Sequence, residues 1–160
     1  MRNLELKVRD PDPAATVAAC ERLGARAAGT LRQRDTYFAV PAGRLKLREE
    51  DGHAELVWYE RPLEAGVRES RYERVAVAAD AAALLRRVLP VVDVVEKTRV
   101  LYLHRHVRIH LDEVAGLGSF VELEAVEPPP GDATLDEVIR ALGLDEREPI
   151  VGGYLELSRA

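Results

Sequence analysis

The sequence predicts an α+β fold: eight antiparallel strands, enough to close a β-barrel, with helices set against it. Three observations predict it. Short segments alternate charged and apolar residues with a period of two. Turn signals, not long crossovers, join most of those segments. Ala/Leu-rich stretches with helix start and stop signals interrupt the series at three places.

Taken in order, residues 3–9 put Asn3, Glu5, Lys7 and Arg9 on one face and Leu4, Leu6 and Val8 on the other, which reads as a strand. Asp10-Pro11-Asp12-Pro13 ends it. Asp12 followed by Pro13 is a helix start, and the helix runs to about Leu23, stopped by Gly24. Residues 26–40 read as extended and carry Thr36-Tyr37-Phe38, with Pro41-Ala42-Gly43 as a turn. Arg44 to Glu50 alternates again, and Asp51-Gly52 is a strong hairpin signal, so a strand over 54–61 pairs back on it. Ser70–Val77 follows as a strand. Asp80 is expected to cap a helix reaching Leu89, where Pro90 stops it. Val94–Leu103, Val107–Val114 and Phe120–Val126 complete the strands, the last entered through Gly116-Leu117-Gly118. Pro128-Pro129-Pro130-Gly131 closes the sheet region. Thr134–Leu142 is the last long helix, and Tyr154–Leu157 is a short terminal segment. A length of 160 residues fits one domain, 1–160.

Composition narrows the function. A formal net charge of -5 argues against a nucleic-acid partner. No stretch approaches the roughly 20 apolar residues of a membrane helix, and residues 1–5 show no signal-type apolar run, so no membrane partner and a cytoplasmic location are expected. The single cysteine, Cys20, excludes an internal disulfide and a thiolate zinc cluster, and within the Ala14–Leu23 helix it reads as a buried thiol.

The charge pattern is more informative than the total. Glu5/Lys7, Arg44/Lys46/Arg48, Lys97/Arg99, Arg108/His110/Asp112 and Glu122/Glu124 each line one side of a strand. An open sheet with this face in water would give the same alternation. A solvated face, however, normally mixes in Thr, Ser, Gln and Asn, and here the signs also segregate strand by strand. Glu122 and Glu124 repel unless a positive charge lies between them. A divalent metal such as Mg2+ or Mn2+ meets that need, and the Arg/Lys rows suit a polyanion held bidentately by guanidinium groups. The pattern reads as a metal–phosphate site on a shared inner surface.

Asn3-Leu4-Glu5-Leu6-Lys7 resembles the N-terminal E-x-E-x-K motif of the CYTH superfamily, the triphosphate tunnel metalloenzymes. Asp35-Thr36-Tyr37-Phe38, the Gly43–Glu49 segment, Glu96-Lys97-Thr98-Arg99, and His110-Leu111-Asp112 with the Gly116–Glu124 segment also resemble family segments, in the family's order. The resemblance implies an eight-stranded antiparallel tunnel that acts on a triphosphate with Mg2+ or Mn2+, as a class IV adenylate cyclase or as a triphosphatase. It assigns Glu5, Glu122, Glu124 and Asp112 to the metal, and Lys7, Asp112 and Glu124 to catalysis. Lys7, Arg44, Lys46, Arg48, Lys97, Arg99 and Arg108 would grip the substrate, with looser matches at Arg61 and Arg74. Tyr154 resembles a C-terminal tyrosine of the cyclase-like branch. Asn3 departs from the motif's first acid, and its neutral amide is a weaker ligand for a hard cation.

The implied partner is ATP, thiamine triphosphate or tripolyphosphate, with a homodimer left open. Trp58, Tyr59 and Tyr72 are candidates for a base pocket or for core. His53 falls in a turn, His104 and His106 flank a hairpin, and His110 shares the face of Arg108 and Asp112. Three readings stay open: a triphosphate enzyme, a non-catalytic triphosphate or nucleotide sensor, and a structural domain whose charges face water.

Overall fold

A computed structural model describes residues 1–60 and 62–160. Its strands are β1 (Arg2–Arg9), β2 (Arg26–Phe38), β3 (Arg44–Glu50), β4 (His53–Glu60), β5 (Arg68–Val77), β6 (Val91–His104), β7 (Val107–Val114) and β8 (Gly118–Val126). They form one closed barrel in the order β1-β5-β4-β3-β2-β6-β7-β8, every pairing antiparallel. This is the eight-stranded architecture that the alternation predicts. The helices are α1 (Pro13–Arg22), α2 (Ala79–Val88), α3 (Thr134–Ala141) and α4 (Tyr154–Ser158).

Local chemistry explains most boundaries. Asp12 caps α1 by accepting from the Ala15 amide at 3.1 Å. At the β3–β4 hairpin Asp51 and Gly52 take φ of 46° and 82°, the positive pair of a type I′ turn. Strand β6 starts at Val91, earlier than the sequence predicts, because the long β2 carries its pairing down to Phe38↔Val91. Strand β5 likewise begins at Arg68, pulled into register opposite Glu5. Asp80 does not cap α2: Ala78 occupies that position, and Asp80 lies in the first turn, where its charge complements the helix dipole. The terminal segment is a fourth helix, held at its start by the Gly153 amide donating to Glu156 Oε2 at 2.7 Å.

The apolar core lies outside the barrel. Leu6 and Val8 of β1, Ile109 and Leu111 of β7, and Val121 and Leu123 of β8 point outward. They pack against Ala19 and Cys20 of α1 and Leu135, Val138 and Ile139 of α3. A smaller cluster of Phe38, Leu47 and Ala82, flanked by Leu56 and Leu85, seats α2 on β2–β4. A third, containing Tyr37, Val95, Phe120, Tyr154 and Leu155, packs α4 against the barrel. On β1, β7 and β8 the apolar side therefore lies against helices and the charged side turns into the lumen, whereas β5 leaves Arg71, Glu73 and Val75 exposed.

Leu123 is fully buried in the outer core, whereas Leu101 is half-buried and belongs to no apolar cluster. Leu123→Ala should lower stability by about 2–5 kcal/mol, and Leu101→Ala by less than about 1 kcal/mol, read from urea midpoints. Equal losses would contradict this placement of the core.

Candidate active site

The inward faces enclose a cavity of about 440 Å³ lined by Asn3, Glu5, Lys7, Gln33, Lys46, Arg48, Lys97, Arg99, His110, Glu122, Glu124 and Tyr154, among others. Lys7, Lys97, Arg99 and Glu122 are each 6% exposed or less. The alternating charges thus converge on an enclosed space, and an open sheet with its charges in water is ruled out for these positions.

Two ion-pair hubs organise the lumen. The first is Asp35, fully buried on β2. Arg48 donates to both of its oxygens at 2.8 Å, Lys46 reaches it at 2.9 Å and Lys97 at 3.0 Å. Burial alone would raise the Asp35 carboxyl, but Arg48, Lys46 and Lys97 outweigh it and hold the group well below the usual carboxylate range. The lysines respond oppositely. Burial pushes Lys97 down to about 7 despite Asp35, with Arg48, Arg99 and Lys46 adding repulsion. Lys46 is pushed down to about 8, by burial and then by Arg48. Three cations share one carboxylate, so this region of the wall carries excess positive charge.

The second hub joins Asp112 of β7 and Glu122 of β8. Arg99 grips Asp112 bidentately at 2.6 Å and reaches Glu122 at 2.7 Å. Lys7 pairs with Glu122 at 3.0 Å and lies 3.6 Å from the centroid of the Tyr154 ring. Tyr154 donates its hydroxyl to Asp112 at 2.7 Å, so α4 fixes the carboxylate that fixes Arg99. Burial would raise Glu122 too, but Lys7, His110 and Arg99 bring it well below the ordinary range.

Donor atoms of His110, Glu122 and Glu124 lie within 4.8 Å of one another. His110 Nδ1 is buried without a hydrogen-bond partner and stands 3.5 Å from Glu122 Oε2. Asn3 Oδ1, also on the lumen wall, is a second buried acceptor without a partner. The two carboxylates suit a hard divalent cation such as Mg2+ or Mn2+, and the adjacent imidazole nitrogen favours Mn2+ of the two. Of the other acids the resemblance assigns to the metal, Glu5 faces Glu124 in register but takes Arg68 Nε at 2.9 Å, and Asp112 is held by Arg99 and Tyr154.

The remaining candidates spread towards the rims. Arg108 lines the lumen 3.9 Å from Glu124. Arg74 also lines it, but is engaged by Glu55 at 2.8–2.9 Å. Arg44 pairs with Glu156 at 2.9 Å and lines a separate cavity. Arg61 lies outside the described residues. Tyr59 and Tyr72 line the lumen, whereas Trp58 bonds Ala42 O beside Gly43. That turn requires glycine, because φ is +69° and a Cβ would come within 2.7 Å of the indole nitrogen. His53 is exposed, and His104 and His106 stand beside Glu137 and Asp132 at 3.7 and 3.0 Å.

Sequence reasoning missed two organising residues. Asp35 enters the sequence reading only as part of the family-like segment Asp35–Phe38 with no role of its own, an isolated acid on its face until register sets it opposite Arg48. Arg68, 4% exposed, bonds Glu5 and the carbonyls of Glu64 and Ile150 at 2.9–3.0 Å. Its shared parity with Ser70 and Tyr72 is the signal, hidden by a strand start placed two residues late.

The CYTH domain family matches residues 1–154, and the chain belongs to that family. A Methanocaldococcus jannaschii protein provisionally named an adenylate cyclase is 27% identical, the match covering 98% of each chain. A solved Pyrococcus horikoshii protein superposes with a TM-score of 0.85 at 28% identity, over 97% of this chain and 98% of that one. A provisionally named adenylyl cyclase from Hippeastrum, described as having a dominant triphosphatase activity, shares the fold with a TM-score of 0.68 at 18% identity, over 94% and 91% of the two chains.

Lys97 and Lys46 give the ligand-free protein an unusual pH response. With folded pKa values of about 7 and 8 against 10.5 for an ordinary lysine, the unfolded chain binds more protons between them and 10.5. Stability should therefore rise with pH from about 7 to 9, by on the order of 1 kcal/mol per pH unit. Above that range Cys20, pushed up to about 11, works in the opposite direction. Urea melts across the window should show the rise, and Lys97→Met should flatten it. A flat or falling wild-type profile would contradict the burial of Lys97 and Lys46 among the lumen cations.

Proposed function

We propose that the protein is a divalent-metal-dependent enzyme acting on a triphosphate inside the tunnel, either converting ATP to cyclic AMP and pyrophosphate or hydrolysing the triphosphate. The observation that carries this reading is the pair of hubs at Asp35 and Glu122, which aim Lys46, Arg48, Lys97, Lys7 and Arg99 into one lumen.

A phosphate chain offers only acceptor oxygens, which is what Lys46, Arg48 and Lys97 lack beyond their one shared carboxylate. Arg48, Lys46 and Lys97 bind it in place of part of their contact with Asp35. Because Asp35 already holds them in position, little reorganisation accompanies binding, the condition under which electrostatic stabilisation is strongest. Arg99 and Lys7 neutralise charge on the reacting phosphoryl group, with Arg99 oriented by Asp112 and Tyr154. Phosphoryl transfer depends mainly on such positioning and charge neutralisation.

His110, Glu122 and Glu124 are the residues that would hold Mg2+ or Mn2+, with Glu5 adjacent in register to Glu124. The bound cation would offset negative charge on the phosphate oxygens and help align the chain. The provisional name of the M. jannaschii relative supports the cyclase form of the reading. A cytoplasmic location goes with a small-molecule triphosphate as partner; among the described residues no helix is long and apolar enough to cross a membrane.

Purified protein with Mg2+ or Mn2+ should turn over ATP, thiamine triphosphate or tripolyphosphate, and a chelator should stop it. Glu124→Gln should lower that rate by about 100-fold while leaving metal-free triphosphate binding within a few-fold of wild type. Binding without turnover in either metal would reduce the protein to a sensor. Failure to bind any triphosphate would overturn the reading.

A further inference from the structure

The chain holds 23 lysines and arginines, and only Lys7, Lys46 and Lys97 among them are lysine. All three line the tunnel, so arginine alone supplies the Lys/Arg charge everywhere outside it. Charge does not explain that division. Guanidinium grips phosphate at least as well as an ammonium does, and Arg48 and Arg99 stand in the same lumen. What lysine adds is an amine that can lose its proton and act as a nucleophile, which guanidinium cannot.

The three amines are not equivalent. Lys7 is taken by Glu122 at 3.0 Å, beside the candidate cation site. Lys46 and Lys97 meet Arg48 on a single oxygen: Asp35 Oδ2 accepts from the two ammonium groups at 2.9 and 3.0 Å and from Arg48 Nη2 at 2.8 Å. A phosphate-gripping fork thus stands directly beside two amines. Lys97 is the more enclosed of the two, its side chain 1% exposed against 12% for Lys46. Burial, with repulsion from Arg48, Arg99 and Lys46, outweighs Asp35 and brings Lys97 down to about 7, so much of it is the free amine at neutral pH.

We infer that the tunnel is a covalent trap for phosphorylated aldehydes, in which Arg48 and Lys46 hold the phosphate and the Lys97 amine forms a reversible imine with the carbonyl carbon. The amine lone pair adds to that carbon and gives a carbinolamine. The former carbonyl oxygen then leaves as water, carrying both amine protons, and a C=N bond stands where C=O stood. Nothing is oxidised or reduced, and no further reactant enters. Asp35 stays ionised and faces the protonated imine as it faced the ammonium. The filled lumen excludes a triphosphate, which makes such aldehydes inhibitors of the site. The trap shares its cations with the triphosphate reading but uses none of that chemistry and no metal.

Pyridoxal phosphate is the probe, because the only primary amine outside the lumen is the Met1 terminus. The intact, metal-free protein is incubated with it, reduced with borohydride and mapped by peptide mass. The adduct should fall on Lys97. Pyridoxal, which lacks the phosphate, should label at least about tenfold less, the loss expected for missing charge-assisted hydrogen bonds. Saturating tripolyphosphate should suppress the adduct, and Lys97→Arg should abolish it with circular dichroism unchanged. Should that variant fail to fold, Arg48→Ala serves as the second, and should erase the advantage of pyridoxal phosphate over pyridoxal. Labelling confined to Met1, spread evenly over the three lysines, or equally frequent with pyridoxal would overturn the trap. Tripolyphosphate that binds without protecting Lys97 would overturn it too, while leaving the triphosphate site standing. A phosphate-dependent Lys97 adduct in a protein that binds no tripolyphosphate would do the reverse.

Discussion

A row of cations cannot be buried inside a barrel unless something negative is buried with it. Desolvating a charge costs several kcal/mol, and an unpaired one would deprotonate or unfold its surroundings. Asp35 and Glu122 meet that requirement here. Asp35 on β2 takes three cations from the neighbouring β3 and β6, and Glu122 on β8 takes Lys7 from the neighbouring β1 and Arg99 from β6 one strand further on; each is held well below its ordinary pKa in return. At Asp35 three cations share one carboxylate, and Lys97 and Lys46 are depressed first by burial and then by repulsion from the neighbouring cations.

The same constraint turns the barrel inside out. Because the lumen is polar, the apolar faces of the strands must be buried on the outside, and α1, α2 and α3 cover them. Fold and site thus use opposite faces of the same residues' strands: Leu123 contributes to stability and Glu122, next in sequence, to the chemistry. The fourth helix couples the two. Tyr154 packs edge-on against Phe120 at 5.2 Å while its hydroxyl holds Asp112. The rigidity of the core is in this way handed to Arg99.

Much of this was legible in the sequence because a period-two pattern is local. The strand faces, the hairpin at Asp51-Gly52 and the α1 cap at Asp12 each depend on residues within a few positions. The inward convergence of Lys7, Arg48, Lys97 and Glu122 follows once eight such strands close. What could not be read was pairing across the sheet. Asp35 meets Lys97 across 62 residues, and Arg68 meets Glu5 across 63. No local signal encodes those distances. For the same reason sequence could list Glu5, Asp112, Glu122 and Glu124 as acids of one wall but not their partners: Arg68 for Glu5, Arg99 for both Asp112 and Glu122, and Lys7 for Glu122. Asp80 misled because a first-turn acid and a capping acid look alike without backbone angles.

The central claim is that the lumen cations act together as a receptor for one triphosphate chain. Calorimetric titration of the metal-free protein with tripolyphosphate, beside Arg48→Ala, tests it most directly. The claim predicts a single site with one-to-one stoichiometry in wild type, and an affinity about 10- to 100-fold weaker in the variant, whose fold is unchanged, as expected for losing hydrogen bonds to a charged partner. Absence of binding, several weak sites, or an affinity indifferent to Arg48 would contradict it.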